Sequence, residues 1–545
     1  MASRIKRFAC SADRVQERVC QTVSLLRGLA LSDLVFGRVL IANRGEIAIR
    51  VARTCHAMGI EPVGVYSEAD VRSLHRRFMH DDTLIGPPAA TESYLSIDKL
   101  LAAAKDLRCD AIHPGYGFLA ESAEFVKRCE QDGLTFVGPP SKPMALSGDK
   151  ISSRKAMAAA GVPVTKGTDR VLRSVDEALE VAKNLGFPVM LKATAGGGGI
   201  GMARVPSPDE LPAAFESARS VALANFGNPD LFVEKFVEHA RHVEIQVFID
   251  GGGHGIHLGE RECSVQRRHQ KLIEESPSPA ISAATRDAIG RTAVRGLQSV
   301  GYRNAGTVEF LYTDGEFHFN EVNARLQVEH PVTEAVTGLD LVELQLRIAA
   351  GEPLPIDQKD VHLRGHAMEC RINAEDPRAN FAPAPGRIVE YREPRGSGVR
   401  VDSGVTAGSV VSEHYDPLIA KLIVHSKSRA ATIPAMERAL REYRVDGVPT
   451  TIPFHRAMLR VPEFVKGDLW TTMIADLKVP ERIRGGKVPA EHLAALAIAL
   501  AAQPDVVERF AQRQRLHRPR VSPWAARGRD DIRGGTDAVS ARRQR

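Results

Sequence analysis

Between Phe319 and Pro331 the chain reads Phe-Asn-Glu-Val-Asn-Ala-Arg-Leu-Gln-Val-Glu-His-Pro. From Glu321 to Glu329 every odd position is polar (Glu321, Asn323, Arg325, Gln327, Glu329) and every even position is apolar (Val322, Ala324, Leu326, Val328). A two-residue period belongs to a β-strand and puts the five polar groups on one face. Such alternation usually marks an antiparallel strand with one wet face. Thr, Lys and Ser would suit a wet face, whereas two carboxylates, two amides and a guanidinium are the parts of a metal and anion site. Same-face neighbours on a straight strand lie about 7 Å apart, so Glu321 and Glu329 would be about 27 Å apart. The face therefore divides into two jobs, with the chain expected to bend before Pro331 and bring Glu329 back.

A chain of 545 residues is too long for one core, and three or four domains are expected. The net charge of +6 is uneven. Residues 1–36 carry six Lys/Arg against three Asp/Glu and residues 481–545 carry fourteen against seven, which leaves the body mildly acidic. An acidic body with basic ends gives no support for nucleic-acid binding. No apolar run is long enough to span a membrane. The seven cysteines are scattered with no Cys-x-x-Cys pair, which fits reduced thiols in a cytoplasmic protein and argues against a structural zinc site. The Arg-rich first 36 residues suit either a transit peptide or a start placed too far upstream.

Val39–Asn43, Glu46–Met58 and Glu61–Tyr66 read as strand, helix, strand, and so as a Rossmann-like parallel sheet. Its first turn, Asn43-Arg44-Gly45-Glu46, is not the dinucleotide fingerprint. Pro188–Ala193 is a buried strand ending at Lys192, and a glycine run, Gly196 to Gly199, follows it. Consecutive glycines can wrap phosphate oxygens or hinge a lid, and Ile200-Gly201-Met202 excludes a Walker loop. Arg261 to Lys271 is a dense basic cluster that suggests an anion site. Gly306–Tyr312 and Glu316–Asn323 read as a hairpin. A two-residue turn would put Glu309 and Glu321 on opposite faces. A three-residue loop with Gly315 left-handed would put them on one face, and is expected here because two facing carboxylates suit a hard cation. A helical region runs from Pro331 to Ala350, and a Pro/Gly-rich β-segment with a helix near Thr432–Glu442 closes the globular part.

Seven stretches in order, Ile-Ala-Asn-Arg-Gly-Glu-Ile-Ala (41–48), His-Pro-Gly-Tyr-Gly-Phe-Leu (113–119), Gly-Asp-Lys (148–150), Lys192 with its glycine loop, Gln-Arg-Arg-His-Gln-Lys (266–271), residues 321–330 and Glu-Cys-Arg-Ile-Asn-Ala-Glu-Asp (369–376), closely resemble biotin carboxylase. The resemblance covers about residues 37–478. It implies an α/β ATP-grasp fold: an N-terminal extension (1–36), a Rossmann-like domain (37–150), an ATP-grasp domain (151–364, lid about 164–237), a β-rich C-terminal domain (365–478) and an Ala-rich helix with a basic tail (479–545).

The activity it implies is ATP-dependent carboxylation of biotin through carboxyphosphate, as the first half-reaction of an acyl-CoA carboxylase. It further implies that Lys150, Lys192, Gly198, Gly199, Glu234, Lys235, Val237, His242, Gln266, His269, Glu309, Leu311 and Glu321 bind ATP. Glu309, Glu321 and Asn323 would hold Mg²⁺ or Mn²⁺. Lys271, Arg325, Gln327 and Val328 would position bicarbonate, Glu329 would be its base, and Arg371 would stabilise the biotin enolate. The catalytic set is thus Arg325, Glu329, Lys271 and Arg371. The implied partners are a carboxyltransferase subunit, a biotin carboxyl carrier protein and a second copy in a homodimer. Ile200 stands where the family usually has Arg or Lys. Glu491–Trp524 is similar to the start of the linker in acyl-CoA carboxylase α chains, yet no Met-Lys biotinylation motif follows, so biotin is expected on a separate carrier. Another ATP-grasp ligase or a catalytically impaired scaffold are the competing readings.

Overall fold

The computed structural model describes residues 36–195 and 201–483. Gly196 to Ile200, including the expected phosphate contacts Gly198 and Gly199, lie outside the described residues, as do residues 1–35 of the N-terminal extension and residues 484–545 with the Ala-rich segment. No described helix is long and apolar enough to cross a membrane.

The first segment is a five-stranded parallel sheet made of β1 (Arg38–Ile41), β2 (Glu61–Ser67), β3 (Asp81–Gly86), β4 (Ala111–His113) and β5 (Thr135–Phe136). Its order is β3-β2-β1-β4-β5. Helix α1 (Gly45–Ala57) follows β1 and buries Ile47, Ala48, Val51, Ala52 and Cys55, the spacing of one helical face. The strand order reverses between β1 and β4, and the loops leaving their carboxyl ends are tied together there. Asn43 donates through Nδ2 to the carbonyls of Pro114 (2.7 Å) and Tyr116 (2.8 Å). Gly115 is required at this point: its φ is +64°, and a Cβ would lie 2.9 Å from that same nitrogen. Ligands of open α/β sheets bind at such a reversal.

Helix α2 (Lys150–Ala159) is capped by Asp149, whose carboxylate accepts from the Ser152 N–H at 2.6 Å. A small antiparallel sheet follows, β6 (Val189–Ala193), β7 (Met202–Val205) and β8 (Leu231–Lys235), in the order β7-β6-β8. Its apolar residues form a cluster of their own with flanking helices.

The large sheet is antiparallel and eight-stranded. It comprises β9 (Arg241–Ile249), β10 (Gly255–Arg267), β11 (Gln270–Ser276), β12 (Asn304–Thr313), β13 (Glu316–Asn323), β14 (His366–Asn373), β15 (Val399–Ser403) and β16 (Leu418–Ser426). The order is β13-β12-β9-β10-β11-β14-β16-β15. The sheet therefore runs without a break from the middle segment into the C-terminal one, through the β11–β14 pairing. Helix α3 (His330–Thr337) and helix α4 (Arg429–Glu442) pack on it.

Three expectations are corrected here. The β12–β13 turn is a two-residue Asp314-Gly315 turn with both residues left-handed (φ 51° and 85°), because Thr313 pairs with Glu316. Alone it would have put Glu309 and Glu321 on opposite faces. A bulge removes the mismatch: Phe310 pairs with Phe319 and Glu309 with Glu321, so Asn320 is the extra residue and the two carboxylates stand directly opposite. Secondly, the strand ends at Asn323, not Glu329. Pro331 fits the first turn of α3, which fixes the chain as a loop and helix start, and Glu329 becomes the residue before the helix. Thirdly, the helical region to Ala350 is two helices, broken by left-handed Gly338.

Candidate active site

A cleft of about 1310 Å³ opens between the β1 and β4 loops, the small sheet and the large sheet. It is lined by Lys150, Lys192, Glu234, Lys235, Val237, His242, Gln266, His269, Lys271, Glu309, Leu311, Glu321, Asn323, Arg325, Gln327, Val328, Glu329 and Arg371. Every expected site residue within the described residues thus faces one space, although the set is drawn from all along the chain between Lys150 and Arg371.

At the centre lies Lys271, on the second residue of β11. Its Nζ donates to Glu244 Oε2 (2.5 Å), Glu309 Oε1 (2.9 Å) and Glu329 Oε1 (2.5 Å). Glu309 also accepts from His242 Nε2 (2.9 Å), Asn323 Nδ2 (2.9 Å) and Gln327 Nε2 (3.0 Å). Gln327 in turn accepts from Arg261 Nη2 at 2.6 Å. Burial pushes the Glu309 carboxyl up, but Lys271 and His242 outweigh it and hold it well below the usual range. Glu329, 1% exposed, follows the same rule: burial works against its charge, while Lys271, Arg371 and Arg261 keep it ionised. Arg371 reaches Glu329 Oε2 through Nη2 at 2.8 Å and holds Glu274 through Nε. Its backbone carbonyl accepts from Thr451 Oγ1 (2.8 Å) and from the ring of His455 (2.7 Å), so the guanidinium hangs from a fixed strand.

The other end of the cleft is a cationic wall. Lys192 Nζ contacts Glu234 Oε2 (2.6 Å) and Asn320 Oδ1 (3.2 Å), and Lys150 Nζ lies 3.4 Å from Glu321 Oε2. His269 sits on a left-handed turn (φ 65°), and burial together with His242, Lys192 and Lys150 lowers its pKa. Lys235 is turned toward the carbonyls of Gly186 (2.8 Å) and Phe187 (3.2 Å). Arg325 spans the gap between the two ends, donating to Asn323 Oδ1 (3.1 Å) and pairing with Glu121 Oε2 (3.1 Å).

The donor chemistry fits a hard divalent cation. Glu309 and Glu321 occupy a directly paired position, which places their Cβ atoms about 5 Å apart, and both offer only oxygens. Lys150 lies 3.4 Å from Glu321 and Lys192 contacts Asn320 beside it, so two cations border the pair. A second group of buried ligand atoms, His242 and Glu244 with the same Glu309, lies within 4.8 Å, and there Glu244 is already paired with both Arg261 and Lys271.

The basic stretch 261–271 is divided by a bulge between Glu262 and Val265, which turns Arg261 and Arg267, residues of equal parity, to opposite faces. Arg261 points into the core, fully buried, and donates to Gln246 (2.8 Å), Thr333 (3.0 Å) and Gln327 (2.6 Å) while pairing with Glu244. Arg267 stacks on Phe381 instead, 4.7 Å from its ring centre. Sequence reasoning gave no individual role to Glu244, Arg261 or Glu121, and Arg261, expected in an anion-binding cluster, is instead held by core partners. The signal was present for the first two, since a charged residue inside an otherwise apolar strand run needs a buried partner. Nothing local pointed to Glu121.

A parallel sheet, a small three-stranded sheet and a large antiparallel sheet around one lysine-walled cleft define an ATP-grasp ligase. The family descriptions agree. "Biotin carboxylase, N-terminal domain" matches residues 35–144, "Carbamoyl-phosphate synthase L chain, ATP binding domain" residues 149–357, and "Biotin carboxylase C-terminal domain" residues 369–476. Biotin carboxylase of Nostoc is 49% identical over 443 residues, covering 81% of this chain and 99% of the relative. A pyruvate carboxylase subunit from Methanothermobacter thermautotrophicus is 49% identical over 482 residues, covering 86% and 98%. The biotin carboxylase domain dimer of Hydrogenobacter thermophilus 2-oxoglutarate carboxylase, solved with MgADP, ADP and bicarbonate, superposes with a TM-score of 0.81 at 42% identity and covers 83% of this chain and 99% of that one. The chain belongs to the biotin carboxylase family of ATP-dependent ligases.

Proposed function

We propose that the chain uses ATP and bicarbonate to carboxylate biotin held on a separate carrier protein. The observation that carries this reading is the Lys271 junction, where one ammonium joins Glu309 of the metal end to Glu329 of the base end. Bicarbonate is a poor nucleophile until its proton is removed, and Glu329 is the buried, ionised carboxylate available for that. Lys271 and Arg371 hold Glu329 charged but weaken it as a base. Each contact that they transfer to a bound anion raises its affinity for a proton, so substrate entry switches the base on.

Lys150, Lys192 and His269 line the phosphate side and would screen the charge of the transferring phosphoryl group. A Mg²⁺ or Mn²⁺ ion held by Glu309 and Glu321, with Asn323 nearby, supplies further charge neutralisation when bound. Arg325 and Gln327 orient bicarbonate, the Val328 segment shapes its seat, and Arg371 remains cationic at any working pH, as the developing biotin anion requires. The residue roles assigned to Glu234, Lys235, Val237, His242, Gln266 and Leu311 toward ATP belong to the same proposal.

The carrier passes its carboxyl group to an acyl-CoA through a carboxyltransferase subunit. The similarity of Glu491–Trp524 to an acyl-CoA carboxylase linker supports this acceptor, and with it a place in fatty acid biosynthesis. The chain works as a homodimer, like its 2-oxoglutarate carboxylase relative, and in the cytoplasm, a compartment that suits its five described cysteines, all buried and unpaired.

Bicarbonate-dependent ADP release on adding free biotin tests the chemistry, and no stimulation by biotin would refute it. Co-purification at native expression tests the partners: a biotinylated protein with an acyl-CoA transferase is expected, and a 2-oxo acid transferase would replace the acyl-CoA assignment.

A further inference from the structure

Behind Arg371 lie two carboxylates that the reaction as described does not use. Glu274 on β11 and Glu369 on β14 are directly paired across the antiparallel ladder, and neither is exposed. Opposed positions of this kind bring side chains into contact. Of their four oxygens only Glu274 Oε1 has a hydrogen-bond partner, Arg371; Glu274 Oε2 and both oxygens of Glu369 have none. Two buried carboxylates at such a distance cannot both ionise, and an unmet buried carboxylate is costly.

The groups facing the pair are Arg371 on β14, Lys271 on β11, Glu329 before α3, Lys421 on β16 and the buried thiols of Cys263 on β10 and Cys370 on β14, both pushed up by burial and so uncharged. Lys421, also fully buried, has its own commitments. It donates to the Val328 carbonyl at 2.9 Å and lies 3.3 Å from Glu46 Oε1 on α1, an ion pair without hydrogen-bond alignment. The surrounding cations are thus shared among more carboxylates than they can neutralise.

We propose that Glu274 and Glu369 hold one proton between them, Glu369 donating to Glu274 Oε2, and that this acid pair is a positioning device for Arg371. Sharing a proton spreads the charge of Glu274. The anchor on Arg371 Nε then stays in place without drawing the whole guanidinium charge away from Glu329 and from the substrate anion beyond it. Burial drives both carboxyls up, Glu274 to about 7 and Glu369 well above the usual carboxylate range, in keeping with a retained proton. The role rests on the biotin carboxylation reading; the presence of the proton does not.

The test uses the full chain with Glu369→Gln, which keeps a neutral donor of the same shape, and Glu274→Gln, which removes the anchor. The infrared difference spectrum between the unaltered chain and Glu369→Gln at neutral pH should show one lost protonated-carboxyl C=O band, the contribution of Glu46 cancelling between the two, a readout independent of activity. Glu369→Gln should leave bicarbonate-dependent ATP cleavage unchanged and remove a limb near pH 7 from the profile of kcat/KM for biotin. Glu274→Gln should raise the KM for biotin by about tenfold, the loss expected of a charged hydrogen bond, with ATP cleavage preserved. A difference spectrum with no lost protonated-carboxyl band would overturn the shared proton. An unchanged pH profile, or equal losses of ATP cleavage and biotin carboxylation, would overturn the positioning role.

Discussion

At the scale of single residues, the proposed base owes its setting to position. Glu329 was legible in sequence as the last polar member of an alternating run, but the run could not say that the strand ends six residues earlier. What moved it was Pro331, which starts a helix and sets Glu329 at the helix's positive end. Glu329→Gln keeps the shape and removes the proton acceptor. Bicarbonate-dependent ATP cleavage should fall by about 10²- to 10⁴-fold, while ATP affinity measured by calorimetry is unchanged. Loss of ATP binding as well would make Glu329 a structural carboxylate. Arg261 was also visible in sequence, but only as part of a basic cluster. Its direction relative to Arg267 depends on the bulge within β10 and on partners from other elements, which no local pattern contains.

Among elements, the β12–β13 hairpin carries the clearest difference between what a sequence shows and what pairing decides. The Asp314-Gly315 turn was readable, as were both strands. The bulge was not, because one extra residue in a strand declares itself only against its partner's register. Deleting Asn320 should leave Glu321 opposite Glu309, since the turn alone would then pair those positions. It would remove the contact to Lys192 Nζ at 3.2 Å. The expected variant folds, keeps its divalent-cation dependence and shows a KM for ATP raised by about tenfold. Loss of cation dependence in steady-state assays would mean that Asn320, rather than register, aligns the two carboxylates.

For the whole molecule, buried charge makes stability depend on pH in two opposing ways. Glu46 and Glu274 have folded-state pKa values raised by burial from 4.5 to about 7. The folded state binds more protons than the unfolded one between those values, so stability falls as pH rises from 4.5 to about 7. Burial opposes the charge of Glu309, Glu329 and Asp402 too, but cations hold their pKa values low; their contribution is complete above the unfolded value and is lost as pH falls below it. Denaturant titrations should therefore show a maximum on the mildly acidic side from these groups. Glu46→Gln should flatten the decline toward pH 7, by up to about 3 kcal/mol for a shift of this size; an unchanged slope would remove Glu46 from the account.

The pairing of β11 with β14 bears on how the chain can be taken apart. A protease cut in the connection between residues 351 and 365 would sever the backbone but leave the eight-stranded sheet, since Ile273–Ser276 of one half pairs with Ala367–Cys370 of the other. The nicked protein should elute as one species on gel filtration and separate only in denaturant. Neither half expressed alone would have a neighbour for its exposed strand, so each should be insoluble by itself and recovered when both are made together. The seam between the ATP-binding and C-terminal domains is, mechanically, the middle of a single sheet.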